Sequence, residues 1–236
     1  MKKSTIISLS VICFFICDIY TSLHAQEATN TDEQISFGIR SAGINIGWYK
    51  PSMNYWNDTY FINNNWENKF EGSFYYGAFF ELNIINNLRA RAGFSYWKET
   101  IKSGEIQFGG LLGDEKLELS LASIPVDIVY QPEFLTFEKF IPYAGIGGNF
   151  LFIQDKYTKK PNGLPEEEVK EQGQDFTGLV ILGIERQIIE HFSAAIEFKY
   201  VIGKYQQEVR SPTGDIIKED VSLSGPKIGI KLAYDF

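Results

Sequence analysis

The chain has 236 residues, 22 Lys and Arg against 30 Asp and Glu, a formal charge of −8, and a heavy aromatic load of 15%. The acidic balance argues against nucleic acid as a partner. The only two cysteines, Cys13 and Cys17, leave nothing for a disulfide framework or a thiolate metal site beyond the N-terminal segment.

Residues 1–25 have the form of a secretory leader, with Lys2 and Lys3 at the start, a short apolar run over 6–16, and Leu23-His24-Ala25 as an imperfect cleavage signal. The alternatives are a retained helix, for which the run is short and Asp18 ends it early, or a lipid anchor on Cys17, which the bulky Ile16 disfavours. Removing the leader leaves residues 26–236 as one domain with 20 basic and 29 acidic residues, a formal charge of −9. No later stretch reaches about 18 consecutive apolar residues, so a spanning helix is not expected.

The rest of the chain alternates with period two. The first strand is expected within 34–49, with Ile44, Ile46 and Trp48 on one face; Ile35, Phe37 and Ile39 have the opposite parity, so either a bulge near 41–43 reconciles them or the residues before Gly43 are not yet in the barrel. The second, over 73–84, sets Tyr76, Ala78, Phe80, Leu82 and Ile84 against Gly77, Phe79 and Glu81. Asn86-Asn87 turns the chain into the third, 88–98, where Leu88, Ala90, Ala92, Phe94 and Tyr96 oppose Arg89, Arg91, Gly93, Ser95 and Trp97. The fourth, 117–130, is expected to change parity near Ala122-Ser123, and Pro125, lacking an N–H, must sit in a bulge or unpaired. The fifth (141–154), sixth (175–185) and seventh (192–205) follow, and the eighth begins near Val221 and runs to the end. Long polar connectors (49–70, 100–116, 155–174, 206–220) alternate with short ones (85–87, 131–139, 186–191).

This pattern predicts an all-β fold, an eight-stranded antiparallel up-and-down transmembrane β-barrel, in the bacterial outer membrane with both termini periplasmic. Eleven residues at about 3.3 Å each, tilted about 40°, climb roughly 28 Å, enough for an apolar band of about 25 Å. A soluble barrel or sandwich would also alternate. Charged residues facing opposite large apolar ones favour the membrane reading, and ten strands stay open if the long connectors contain hairpins.

On the inward face the alternation collects a candidate luminal charge network: Glu81, Arg89, Arg91, Glu185, Glu197, Lys199, Lys227 and Lys231. It is either a structural plug of ion pairs or the lining of a narrow water-filled path; eight strands leave little interior beyond what side chains fill. The first long connector carries Trp56, Tyr60 and Trp66 among asparagines, a mixture that would suit glycan or protein, or packing on neighbouring loops. Lys159-Lys160 and Glu166-Glu167-Glu168 are expected in a solvated loop without the geometry of a calcium motif. His191, the one histidine beyond the leader, falls at a periplasmic turn, and no acid–Ser–His arrangement, phosphate loop or cofactor motif is visible, so no catalytic, cofactor or metal residue is assigned.

Phe37-Gly38-Ile39-Arg40-Ser41-Ala42-Gly43-Ile44-Asn45, Ser123-Ile124-Pro125-Val126-Asp127, Pro142-Tyr143-Ala144-Gly145-Ile146-Gly147 and the terminal Tyr234-Asp235-Phe236 together resemble the small outer-membrane β-barrels of Bacteroidetes, the PorT-like proteins, and more loosely the OmpA/OmpX-type barrels. These are diffuse strand patterns, specific for fold and weak for function. The resemblance implies that Gly229, Leu232, Tyr234 and Phe236 form the insertion signal read by the barrel-assembly machinery, with outer-membrane lipid as the standing partner. The expected role is non-enzymatic: structural, surface-binding or envelope-assembly. The alternatives are a narrow small-solute channel and, from the resemblance alone, an accessory barrel of a protein-secretion system.

Overall fold

A computed structural model describes residues 38–236 except 86, 109–110, 136–138 and 211–215. The expected leader and the part of the first strand that carries Ile35 and Phe37 lie outside the described residues. Among the described residues ten strands form: β1 (Gly38–Tyr49), β2 (Ser73–Ile85), β3 (Leu88–Phe108), β4 (Leu111–Tyr130), β5 (Phe140–Pro161), β6 (Glu167–Ile189), β7 (Phe192–Ile202), β8 (Lys204–Arg210), β9 (Ile216–Ser222) and β10 (Gly225–Asp235). Eight close into an antiparallel ring in the order β1-β10-β7-β6-β5-β4-β3-β2, while β8 and β9 pair only with each other. Closure is made by β1 against β10, from Ser41 opposite Asp235 to Tyr49 opposite Lys227. A closed ring leaves no sheet edge within the span, the condition for β-structure in lipid.

The surface settles which side of each strand faces out. Ile44, Ile46, Trp48, Phe74, Tyr76, Phe94, Val126, Ile128, Ile146, Phe176, Leu182, Ile196, Ile228, Ile230 and Leu232 are all exposed, whereas Glu81, Arg89, Arg91, Asp127, Glu185, Glu197 and Lys231 are buried. A soluble barrel would invert this. A continuous apolar outer wall around a charged interior is the surface of a transmembrane barrel. Among the described residues no helix is long and apolar enough to cross a membrane; the strands do so.

Several expectations shift in detail. The β1 bulge falls between Ile39 and Ser41, just before the expected place, and a second sits between Asn83 and Ile85. That second bulge makes Ile85 the exposed residue, with Ile84 half-buried. The expected parity change in β4 does not occur: Leu117, Leu119, Leu121, Ser123, Asp127 and Val129 are all buried on one face. The leucines looked lipid-facing because they are apolar; they point inward because the upper lumen is apolar too. Pro125 is unpaired on its β3 side, where the ladder passes from Ala92–Val126 to Ser95–Ser123 without a register change.

The long connectors are also different. β3 and β4 pair out to Phe108 and Leu111, and β5 and β6 out to Lys159 and Glu167. Two expected polar loops are therefore hairpin extensions rising beyond the apolar belt. The last connector holds the β8–β9 hairpin, so the seventh and eighth barrel strands end at Ile202 and begin at Gly225. Among the described residues, the first long connector alone stays outside the sheets, as a π-helical turn (Tyr55–Tyr60) continued by a short helical turn (Phe61–Asn63). It returns to β2 through Gly72, whose φ of 103° and tight fit against Trp48 and Tyr49 leave no room for a side chain.

Candidate functional site: the filled lumen

Three layers occupy the interior. Nearest the short-turn end is an ionic layer. Period-two spacing puts Arg89 and Arg91 on the inward face of β3, directly across from Asn83 and Glu81 of β2. Arg89 reaches Glu81 at 3.1 Å and Glu185 at 3.2 Å. Lys231 of β10 bridges the same two carboxylates at 2.6 and 3.3 Å. Arg91 reaches Glu197 at 2.5 Å, Asp127 at 3.0 Å and Glu81 at 3.5 Å. Lys199 adds contacts to Glu197 at 3.0 Å and Asp127 at 3.7 Å, and Arg40 caps Glu185 at 2.8 Å. Tyr143 donates to Glu197 at 2.8 Å, and its ring lies under Arg89. Each carboxylate therefore meets at least two cations, and the network crosses the barrel from β2 to β6 and β7. Two glycines make space for its neighbours: a side chain at Gly183 would overlap the Tyr143 ring, and one at Gly229 would overlap Tyr75.

The structure brings seven of the eight candidate luminal charges into this network: Glu81, Arg89, Arg91, Glu185, Glu197, Lys199 and Lys231. Lys227 stands apart. Its Nζ donates to Ser95 Oγ at 3.0 Å and lies 3.8 Å from the centre of the Tyr75 ring, with no carboxylate partner among the described residues. Sequence reasoning missed Asp127, Arg40 and Tyr143 as members. Asp127 was legible, since it alternates with Val126 and Ile128; Arg40 was hidden by the bulge that reverses parity beside it.

Above lies a thin polar layer. Ser95, Ser123, Asn149, Thr177 and Lys227 line a cavity of about 20 Å³, room for about one water.

The third layer is apolar. Trp97, Ile101, Leu117, Leu119, Leu121, Leu151, Ile153, Leu179, Ile181 and Val201 line the upper wall, and the first connector drops Met53, Trp56, Phe61, Trp66 and Phe70 onto them. Phe61 stacks on Trp66 with ring centres 4.7 Å apart. The polar atoms of these rings find partners: Trp56 Nε1 donates to Tyr205 Oη at 3.0 Å, Trp66 Nε1 to Glu115 at 3.2 Å, Trp97 Nε1 to the Tyr49 carbonyl at 3.2 Å, and Tyr49 Oη to the Leu223 carbonyl. Lys50, Ser52 and Met53 donate backbone bonds to Pro226, Ser224 and Ser222, and Asn57 exchanges two bonds with Phe70. Of the aromatic residues considered as an exposed binding surface, Trp56 and Trp66 are 6% and 5% exposed. Their rings are turned into the barrel mouth. Tyr60 is half-buried and packs edge-on to Trp56 and Trp66. The alternative of packing describes this connector; burying rings of this size removes far more apolar area from water than a solvated loop would.

The remaining candidates lie elsewhere. Leu232, Tyr234 and Phe236 are on the outer face, whereas Gly229 faces inward. His191 occupies the turn between β6 and β7 at φ 66°, its ring stacked on Tyr234 and Nδ1 3.1 Å from the Asp235 carbonyl. Glu168 lies not in a loop but on β6, where hydrogen bonds from Lys156 and Lys170 hold its carboxyl down at about 2. Glu167 also lies on β6, opposite Lys159 of β5.

The fold and lumen define the class: a small, eight-stranded transmembrane β-barrel with an interior filled by side chains. By fold it resembles OprG from Pseudomonas aeruginosa (TM-score 0.51, 11% identity, 84% of this chain and 94% of that one). A major outer membrane protein from Thermus thermophilus is similar to the same degree (TM-score 0.51, 9% identity, 83% and 98%). Neisserial surface protein A aligns with TM-score 0.46 and 11% identity over 85% and 97%. At these identities the likeness is one of fold. No protein-family model matches the chain, and no curated protein matches it in sequence. The comparisons thus support the coarse class of small outer-membrane-type barrels and not the narrower PorT-like resemblance.

Proposed function

We propose that this protein is a non-enzymatic barrel of the bacterial outer membrane, closed to solute flow, whose tall hairpins present a structural or binding surface at the cell exterior. The observation that carries this reading is the doubly filled lumen, with a cross-barrel ionic layer below and an aromatic plug above. A conducting path would have to pass both, and the opening between them holds about 20 Å³. That geometry speaks against the channel alternative; the secretion-accessory alternative draws on resemblance alone. In the proposed orientation the short turns and both termini face the periplasm, as in barrels with an even strand number. The leader directs export, outer-membrane lipid contacts the apolar belt, and Gly229, Leu232, Tyr234 and Phe236 serve the assembly machinery during insertion. Glycan or protein partners would engage the hairpins rather than Trp56 and Trp66.

The test is electrical. Protein refolded in detergent, with a heat-modifiable gel shift as proof of folding, is added to a planar bilayer. The expected result is an electrically silent barrel. Stable, discrete single-channel currents from the folded species would overturn the closed-lumen reading.

A further inference from the structure

Beyond the belt the wall of the barrel splits. The β6–β7 ladder stops at Gly178–Ile202, yet β6 continues outward to Glu167. At Gly203 the chain leaves β7 and enters β8, whose only ladder partner among the described residues is β9. Between the reach of β6 that has lost its β7 partner and the side of β8 opens a cleft of about 340 Å³, within the size range of small-ligand pockets.

We propose that this cleft binds a small organic cation, an ammonium or guanidinium group, between the carboxylates of Asp155 and Glu171. Its lining contains three acidic residues, Asp155, Glu171 and Glu208, and no basic one. Asp155 is 7% exposed, and its Oδ1 is buried without a hydrogen-bond partner. Asp155 and Glu171 also stand directly opposite each other across the β5–β6 ladder, an arrangement that like charges destabilise unless something neutralises them. Lys156 and Lys170, the nearest lysines along the two strands, are engaged with Glu168 instead. The rest of the lining suits an organic cation. Gln172, Gln206 and Gln207 offer amides, Gln207 already donating to Glu171, and the Tyr205 side chain offers an aromatic wall. Among the described residues no group of three or more acidic, His or Cys side chains has metal-holding spacing, which favours a cation bound by hydrogen bonds over a coordinated metal. Burial first, and Glu171 second, push the Asp155 carboxyl up to about 7, consistent with a missing counter-charge. Asp155 lies above the belt, beyond Phe152, the last exposed apolar residue of β5.

This site does not depend on whether the lumen conducts. The refolded full barrel in a non-ionic detergent is titrated by calorimetry at pH 7.5 with spermidine, with a blocked tripeptide carrying one lysine, and with calcium chloride. Saturable binding of spermidine or of the peptide is expected, at least tenfold weakened by Asp155→Asn and by the exposed-site variant Glu171→Gln. Glu190→Gln, at the opposite end, should leave it unchanged. Gel shifts confirm that each variant is folded. Spermidine alone binding assigns a free amine as the source; the peptide binding more tightly assigns a polypeptide side chain. Binding of calcium alone, no binding at all, or amine binding that survives both cleft substitutions would overturn the proposal.

Discussion

The two ends of the lumen are filled by opposite chemistries. The lower half is made wholly from strand residues, and its cohesion is electrostatic: four acids and five bases held at fixed heights by strand register. The upper half is closed by a connector that is not part of the sheet, and its cohesion is apolar burial of rings. The ionic layer has few ways to relax, because removing one charge strands others that are buried with it. The aromatic plug can lose one ring and settle, because dispersion and burial are shared over many neighbours.

The largest effect is expected at the ionic layer. Arg91→Ala leaves Asp127 and Glu197 short of their main partner, and should cost about 3–5 kcal/mol, read as a fall in the urea midpoint of unfolding in micelles. Replacing the Lys231–Glu81 pair together by Met and Gln should cost less than the two single substitutions summed, since neither leaves the other unpaired. In the plug, Phe61→Ala removes a fully buried ring and should cost about 3 kcal/mol, the low end for a buried Phe because the surrounding rings can settle. Unlike Arg91→Ala, it should also raise hydrogen exchange selectively over 51–70, because the connector can loosen while the ring of strands persists. If both variants destabilised the barrel uniformly, the distinction between the two halves would fail.

Asp155 gives a pH signature. Its carboxyl titrates higher in the folded protein than in the unfolded chain, so the folded state holds a proton that the unfolded state releases. Its contribution is therefore most favourable below about pH 4, declines as pH rises toward 7, and is flat above. The midpoint difference between Asp155→Asn and the parent should widen by about 1–3 kcal/mol from pH 4.5 to 7.5, in favour of the variant. The smallest effect is expected at Lys227. Lys227→Met removes a luminal lysine that forms no ion pair among the described residues, and should change stability by no more than about 1 kcal/mol in either direction. Lys231→Met, four residues along the same strand, should cost several times as much.

Period-two alternation located the eight barrel strands and gathered most of the ionic layer on one face of them, while the observed burial decided which face looks outward. In a closed sheet a side chain has only two directions, and a one-residue slip would put Arg89, Arg91 and Glu197 into lipid. The missing N–H of Pro125 told of its gap in the ladder to β3, and the break in alternation put His191 in a turn. Alternation failed where its premise failed. Beyond the belt both faces of a strand can be polar, so 100–116 and 155–174 looked like loops although backbone pairing continues through them. Leu117, Leu119 and Leu121 looked lipid-facing because nothing in β4 says that a connector some 50 residues earlier will fill the mouth with rings. For the same reason the sequence left Trp56 and Trp66 open between offering a surface to a partner and packing on neighbouring loops. Whether an aromatic is buried or offered to solvent depends on what packs against it, and only the tertiary structure supplied those neighbours. It alone also brought Asp155 of β5 and Glu171 of β6 beside β8, forming a cleft that no one stretch of the chain contains.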